Sequence, residues 1–280
     1  MPFAYWATAI KLHQLIVETP PPDLYRLNDA PLILSLESAT LGGSVYLGRG
    51  PTQLAAREGD PQVSQSSSLL TDINDALIEA GVSLQEVDLF ACAAGPGSFT
   101  GLRIGIATLK ALAASLKRPC VGIPTLQAVA HAGGPASATV ALLPAGRGEV
   151  FAQMFSVSDE DTVTELDTAA HLSPQRLIEK YGAMTNLRWA GNGAHVQHDF
   201  LKNYAQQQGI GFETGVGQSN ASHTMQRGNV WELAAKEANL AKHIATLALR
   251  MFQAGQMQTP YSLNAMYVRP SDAELKEQCR

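Results

Sequence analysis

The sequence predicts an α/β fold of two lobes, each running βββαβα, with mixed sheets covered by helices. Three observations carry that prediction. Apolar, β-prone runs come as hairpin pairs around glycine turns, first at LILSLESATLGGSVYLGRG after Pro31 and again at VALLPAGRGEVFAQMFSV. After each pair, helix-periodic and strand-like segments follow in the same order, more loosely the second time. The chain has 280 residues, 45% hydrophobic and 16% charged, enough for two separate cores.

On this basis the chain divides into an N-terminal extension (1–31), an N-terminal lobe (32–123), a smaller C-terminal lobe (124–230), and a closing helix with a tail (231–280). In the extension, Phe3, Trp6, Ile10 and Val17 share a helical face, and Pro20, Pro21 and Pro22 end any such helix. Lys11 and His13 interrupt its apolar stretch, so it reads as neither a signal peptide nor a membrane span. The formal charge is -5, from 20 basic and 25 acidic residues, with no run of Lys or Arg. That disfavours a surface gripping phosphates by bulk electrostatics, so any RNA would be held by another subunit. Cys92, Cys120 and Cys279 form no CxxC and suggest neither zinc nor a disulfide framework, which fits a reducing cytosol.

Along the first lobe, Gly42 and Gly43 turn the opening hairpin and a third strand covers Thr52 to Arg57. Leu69, Leu70, Ile73, Leu77 and Ala80 mark an amphipathic helix capped at Ser66 or Ser67 and stopped by Gly81. Ser83 and Glu86 have capping-box spacing, and VDLFACAA reads as a buried strand. A long helix follows from about Phe99 to Lys117, ended by Arg118 and Pro119, and CVGIP is one more strand. In the second lobe, residues 162–167 supply the third strand, Ser173 to Tyr181 a helix, LRWAGN a strand, and a helix begins near Val196. Residues 230–254 read as a final amphipathic helix. Strand triplets followed by alternating helix and strand are the architecture of actin-like (ASKHA) folds, sugar kinases and heat-shock ATPases.

The segment GPGSFTGLRIG, Gly95 to Gly105, joins the buried strand to the long helix and is the candidate functional centre. A Walker phosphate loop needs GK[ST], which is absent. The dinucleotide fingerprint fails because Thr100 stands for the third glycine, Pro96 removes a donor, and no acid follows about twenty residues on. A nucleophile elbow fails at Pro96 and Thr100, which flank Ser98 where glycines are required. Ser98 reads as an N-cap, with an anion held by the same first-turn amides as the alternative. Gly101, Gly105, Thr108 and Ala111 leave one helix face without bulk, so another helix can approach closely. Phe99, Leu102, Ile106, Leu109, Leu112, Ala113 and Leu116 cover more of the circumference than one sheet contact needs. The residues alone leave two readings open, burial in the chain's own domain and partial burial by a partner.

His171, His195, His198 and His223 lack a metal-ligand spacing, and neither HExxH nor HxxxH occurs, which also removes the basis for a metallopeptidase. Glu37 sits where actin-like ATPases carry an acid on the first hairpin, leaving a magnesium or phosphate role open there. The matching glycine is Ala39, however, and the second hairpin has Gly146 and Arg147 in place of an acid, which speaks against an autonomous ATPase.

Together LILSLESAT, GPGSFTGLRIGIATLKALA, AGRGEVFAQMF and YVRPSDAELK resemble the TsaB (YeaZ-like) family over about residues 32–280. The glycine motif is the most specific element, residues 182–230 match poorly, and residues 1–31 lie outside the resemblance. It implies an actin-like two-lobed fold and a cytoplasmic role in making threonylcarbamoyladenosine at position 37 of tRNA. Such proteins are non-catalytic paralogues that dimerise with a metal-bearing TsaD-type subunit. A TsaE-type ATPase joins the assembly, and a TsaC-type enzyme makes the threonylcarbamoyl-adenylate donor. For this chain the resemblance implies no catalytic residue, cofactor or metal, only indirect contact with tRNA, and no membrane. The partner surface would be the helices at about 66–80 and 99–117, through Leu69, Leu70, Ile73, Leu77, Ser98, Phe99, Gly101, Leu102, Gly105, Thr108, Leu109 and Leu112. Self-association of the isolated chain through the same helices stays open. The family commonly has Asp where Glu37 stands and His-Ser where Gln65 and Ser66 stand, which puts nucleotide contact near Glu37 in doubt.

Overall fold

The computed structural model describes residues 30–60, 62, 65–216 and 229–268. Residues 1–29 of the extension, His223, Cys279 and the end of the YVRPSDAELK tail lie outside them.

The first sheet has the order β3-β2-β1-β4-β5. Strands β1 (Leu32–Glu37), β2 (Ser44–Arg49) and β3 (Thr52–Glu58) form the antiparallel meander expected from the glycine turns. Strands β4 (Leu89–Gly95) and β5 (Cys120–Pro124) extend it in parallel. Every residue of β4 is buried, as a central strand covered on both faces requires. The crossovers are α1 (Gln65–Ala80) and α2 (Phe99–Leu116), which cover one face of the sheet. Because α1 begins at Gln65, Ser66 and Ser67 fall inside its first turn instead of capping it. Between α1 and β4, the Ser83 amide and hydroxyl both donate to Glu86 Oε2, at 2.8 and 2.9 Å, as the capping-box spacing predicts.

The second sheet has the order β11-β12-β10-β6-β7-β8, with β9 also on β7. Its hairpin, β6 (Ala136–Gly146) and β7 (Glu149–Val157), is antiparallel and leads to β8 (Val163–Glu165) and β9 (Ala170–Leu172). Helix α4 (Pro174–Tyr181) is capped by Ser173, which accepts from the Arg176 amide. Strand β10 (Leu187–Ala190) lies parallel to β6 and β12 (Val230–Ala234), and β11 (Gly211–Val216) pairs β12. The helix expected near Val196 is two pieces, α5 (Asn192–Val196) and α6 (His198–Gln207).

Two further helices, α3 (Thr125–Ala132) and α7 (Leu240–Gln253), lie between the sheets. The sequence carries no separate signal for α3, and its residues 230–254 read as one helix. The structure corrects the second expectation: residues 230–234 are strand β12. Trp231 and Leu233 alternate onto one face with Trp189, a period of two that burial selects over the helical pattern. Helix α7 begins only where Asn239 Oδ1 accepts from the Lys242 amide at 3.1 Å.

The strand alternation sorts the core into three apolar layers. Leu32, Leu34 and Leu36 face α1 and α2, while Ile33 faces α3 and α7. Trp189 and Trp231, with ring centroids 4.9 Å apart, fill the far side of the second sheet under α4 and α6. One charged pair crosses this apolar frame. Arg188 on β10, only 2% exposed, donates Nη2 to Glu232 Oε2 on β12 at 2.7 Å, and Nη1 to the carbonyls of Gly133 and Pro135 at 3.0 and 2.7 Å. Breaking a buried pair leaves the surviving charge unpaired, so Arg188→Met is expected to cost about 3–5 kcal/mol in urea unfolding. Adding Glu232→Leu should recover most of that loss.

Candidate functional site

The glycine segment is built against its own chain. Ser98 caps α2, its hydroxyl accepting from the Gly101 amide at 3.2 Å, while its own amide donates to the Ala39 carbonyl at 2.7 Å. The Leu102 amide is taken by the Ser98 carbonyl. The Ser98 side chain is thus the N-cap of α2. The Gly95 amide donates to Thr125 Oγ1 at 3.1 Å, fixing the strand end to α3. Gly95 has φ +114, and a Cβ there would run into the Met266 carbonyl. A Cβ on Gly97 would stand 2.6 Å from both Ala39 Cβ and its carbonyl oxygen.

Gly105 packs against its own chain. A Cβ at this position would collide with Ser38 Oγ and lie 3.0 Å from Ser38 Cβ, and that hydroxyl donates to the Gly101 carbonyl at 2.9 Å. The missing bulk therefore admits the first hairpin of the same chain. Six of the twelve expected partner-facing residues, Leu69, Ile73, Gly101, Leu102, Gly105 and Leu109, are buried in this lobe. Their side chains, or their lack of one, pack in the chain's own core. The remaining six reach solvent. Leu70 is 65% exposed, Ser98 is exposed, and Leu77, Phe99, Thr108 and Leu112 are half-buried.

The C-terminal tail covers part of α2, which the sequence reading did not foresee. Cys120 and Gln258 exchange backbone hydrogen bonds at 3.0 and 2.8 Å, adding the tail to the β5 edge. Leu263 is buried beneath α2, and Lys110 Nζ donates to its carbonyl at 3.0 Å. At the start of α2 the Phe99 ring packs on Tyr267, centroids 5.3 Å apart, with the Arg103 guanidinium 3.8 Å from the Phe99 centroid. The tail's anchors are single residues paired over long separations, which no local pattern announces.

Between the lobes lies a cleft of about 240 Å³, lined by Glu37, Thr40, Glu58, Asn192, Lys236 and Glu237 among others. Glu37 is spent on its own turn. Oε1 accepts the Ala39 and Thr40 amides at 2.5 and 2.8 Å, and Oε2 accepts the Thr40 hydroxyl at 2.6 Å. Burial nonetheless raises its carboxyl above the usual range, against the lowering effect of those bonds. At the second hairpin, Gly146 and Arg147 both take positive φ at the turn.

Among the described residues no activated nucleophile emerges. Burial pushes the Cys120 thiol up to about 12 and the Cys92 thiol higher still. His171 pairs with Glu149 at 2.9 Å and His198 with Asp199 at 2.8 Å, while desolvation lowers the His195 imidazole. Among the described residues no three His, Cys, Asp or Glu side chains converge as a metal site.

Comparison with known proteins gives this geometry a context. The sequence model of the family described as TsaD, tRNA N6-adenosine threonylcarbamoyltransferase, matches residues 63–270. The chain is 31% identical over 151 residues to the tRNA threonylcarbamoyladenosine biosynthesis protein TsaB of Escherichia coli, covering 53% of this chain and 65% of that protein. It is 37% identical over 107 residues to the tRNA N6-adenosine threonylcarbamoyltransferase of a Chelativorans species, covering 36% of this chain and 26% of that one. The chain thus spans less than two thirds of these curated relatives' own lengths. Among solved structures, YeaZ from Pseudomonas aeruginosa superposes with a TM-score of 0.62 at 24% identity, over 85% of this chain and 99% of that one, and shares the fold.

If Gly105 serves intramolecular packing, Gly105→Ala is expected to destabilise the isolated chain by about 1–3 kcal/mol. Adding Ser38→Gly, which removes the obstructing side chain, should restore part of the loss in the same denaturation experiment.

Proposed function

The chain belongs to the TsaD family of tRNA N6-adenosine threonylcarbamoyltransferases, standing within it among the TsaB (YeaZ-like) proteins, and from that premise we propose that it is a non-catalytic, activating subunit in threonylcarbamoyladenosine formation on tRNA. Its partner in this reading is a TsaD-type catalytic subunit. A TsaE-type ATPase joins the assembly, tRNA is held by the other subunits, and the setting is cytoplasmic.

One observation carries the proposal. Helix α2 is apolar and long enough to cross a membrane, yet only 33% of it is buried, and its inner face packs on β4 as in a soluble core. Its outward face carries Ile104, Ala107, Thr108, Ala111 and Leu112, small or apolar, with the exposed Arg103 at its N-terminal edge. Beside it α1 presents Leu70 and Ile78, 65% and 71% exposed, with Leu77 half-buried. A face of small side chains lets a helix of another subunit come close, and covering the leucines removes apolar area from water. The α2 face is continuous with the exposed Ser98 of the family's glycine motif.

An independent ATPase is the weaker reading, for reasons of charge and occupancy. The carboxylate positioned for magnesium is consumed by Ala39 and Thr40, and Glu58 and Glu237 outweigh Lys236 at the cleft, which repels a triphosphate. ATP turnover by the purified chain alone would reinstate it.

Leu70→Glu and Thr108→Arg place charge on the outward face without entering the core. Each should weaken binding to a TsaD-type subunit at least tenfold in calorimetry, about 1.4 kcal/mol or more. The thermal midpoint of the chain alone should stay unchanged. Wild-type affinity in both variants would count against a partner surface here.

A further inference from the structure

One buried polar assembly serves neither the glycine segment nor the outward face of α2. His131 on α3 and His243 on α7, 5% and 2% exposed, meet in the apolar core between the sheets with Nδ1 atoms 2.7 Å apart. Each outer ring nitrogen faces a carboxylate. His243 Nε2 is 3.1 Å from Glu237 Oε2 and hydrogen-bonded to it, at the cleft. His131 Nε2 is 3.4 Å from Asp161 Oδ1, on the turn between β7 and β8, yet it is a buried nitrogen with no hydrogen-bond partner. Besides His243 and Asp161, the charged group facing His131 is Arg250, whose guanidinium binds the Glu160 carbonyl and the Thr162 hydroxyl on that turn.

The proton count explains this asymmetry. Burial, then the neighbouring His243, lowers His131 to about 4, so its ring is uncharged at neutral pH. With one N–H on each ring, two protons serve the three contacts of the chain from Asp161 through both rings to Glu237, in keeping with the unpartnered His131 Nε2. Carboxylates only accept, so one end must go unfilled. In the order the distances favour, His243 Nε2–H donates to Glu237 and His131 Nδ1–H donates to His243 Nδ1. His131 Nε2 then keeps a lone pair facing Asp161. The reverse order fills Asp161 and strands Glu237.

We propose that His131 and His243 form a two-position hydrogen-bond toggle across the lobe junction, in which Glu237 at the cleft and Asp161 on the β7–β8 turn compete for its direction. A donor or cation that enters the cleft and takes up Glu237 reverses both tautomers and ties down the turn. The two ends belong to different elements, since Glu237 precedes α7 and α7 is bonded to the first sheet, Ser35 Oγ donating to the Ala241 carbonyl at 2.7 Å. Asp161 follows β7 of the second sheet. The toggle does not rest on the partner reading.

Nitrogen-15 NMR of the histidine rings in the full chain at neutral pH tests it directly. The wild type should show His131 protonated at Nδ1 and His243 at Nε2. Glu237→Ala should move the His131 proton to Nε2 and slow amide exchange at residues 158–162. Asp161→Asn should keep the wild-type tautomers and raise the thermal midpoint, because its amide supplies the missing donor. Asn tolerates the positive φ of +56 at this position. A wild-type His131 protonated at Nε2, unchanged tautomers in Glu237→Ala, or a lowered midpoint in Asp161→Asn would each overturn the proposal.

Discussion

Helix α2 lies so close to the first hairpin that Gly105 has no room for a methyl group, and the arrangement of the first lobe follows from that contact. Ser38 reaches over the helix to the Gly101 carbonyl, Ser98 caps the helix and bonds back to Ala39, and the tail closes over Gly95 through Met266. Each contact holds the inner side of α2 to its own chain. Buried volume there is used up, and an added Cβ at Gly105 or Gly97 would meet the chain's own atoms. What remains for another molecule is the outer side, where Ala107, Thr108 and Ala111 stand.

Local chemistry made much of this legible in advance. Glycine turns announced the hairpins, Ser98 followed by a helical run announced the cap, and the continuous apolar stretch of β4 announced a strand covered on both sides. Non-local pairing stayed hidden. Trp231 and Leu233 make a strand only because β10 and β11 flank it, and five alternating residues joined to a helical run carry too little signal to show this. Gln258 and Leu263 find Cys120 and the α2 core across more than a hundred residues. Gly105 shows the limit differently. Its smallness correctly signalled close approach, but a missing side chain does not say what approaches, and the neighbour proved to be Ser38.

The cleft between the lobes keeps the shape of a ligand site while its chemistry is turned inward. Glu37 turns both oxygens to Ala39 and Thr40, closing its own turn. Gly146 and Arg147 at the turn of the second hairpin carry no carboxylate. The two sheets are joined through the apolar core around α3 and α7. The buried Arg188–Glu232 pair adds direction to the second sheet, since its carbonyl contacts at Gly133 and Pro135 also fix the chain leaving α3.

Hydrogen exchange of the chain, alone and mixed with a TsaD-type subunit, probes the division between a spent inner face and an open outer face most directly. Exchange slowed in α1 and α2, over residues 68–80 and 100–116, with the cleft segments at 37–43 and 235–239 unchanged, is the expected result. Slowing confined to those cleft segments, with α1 and α2 exchanging as in the isolated chain, would contradict it.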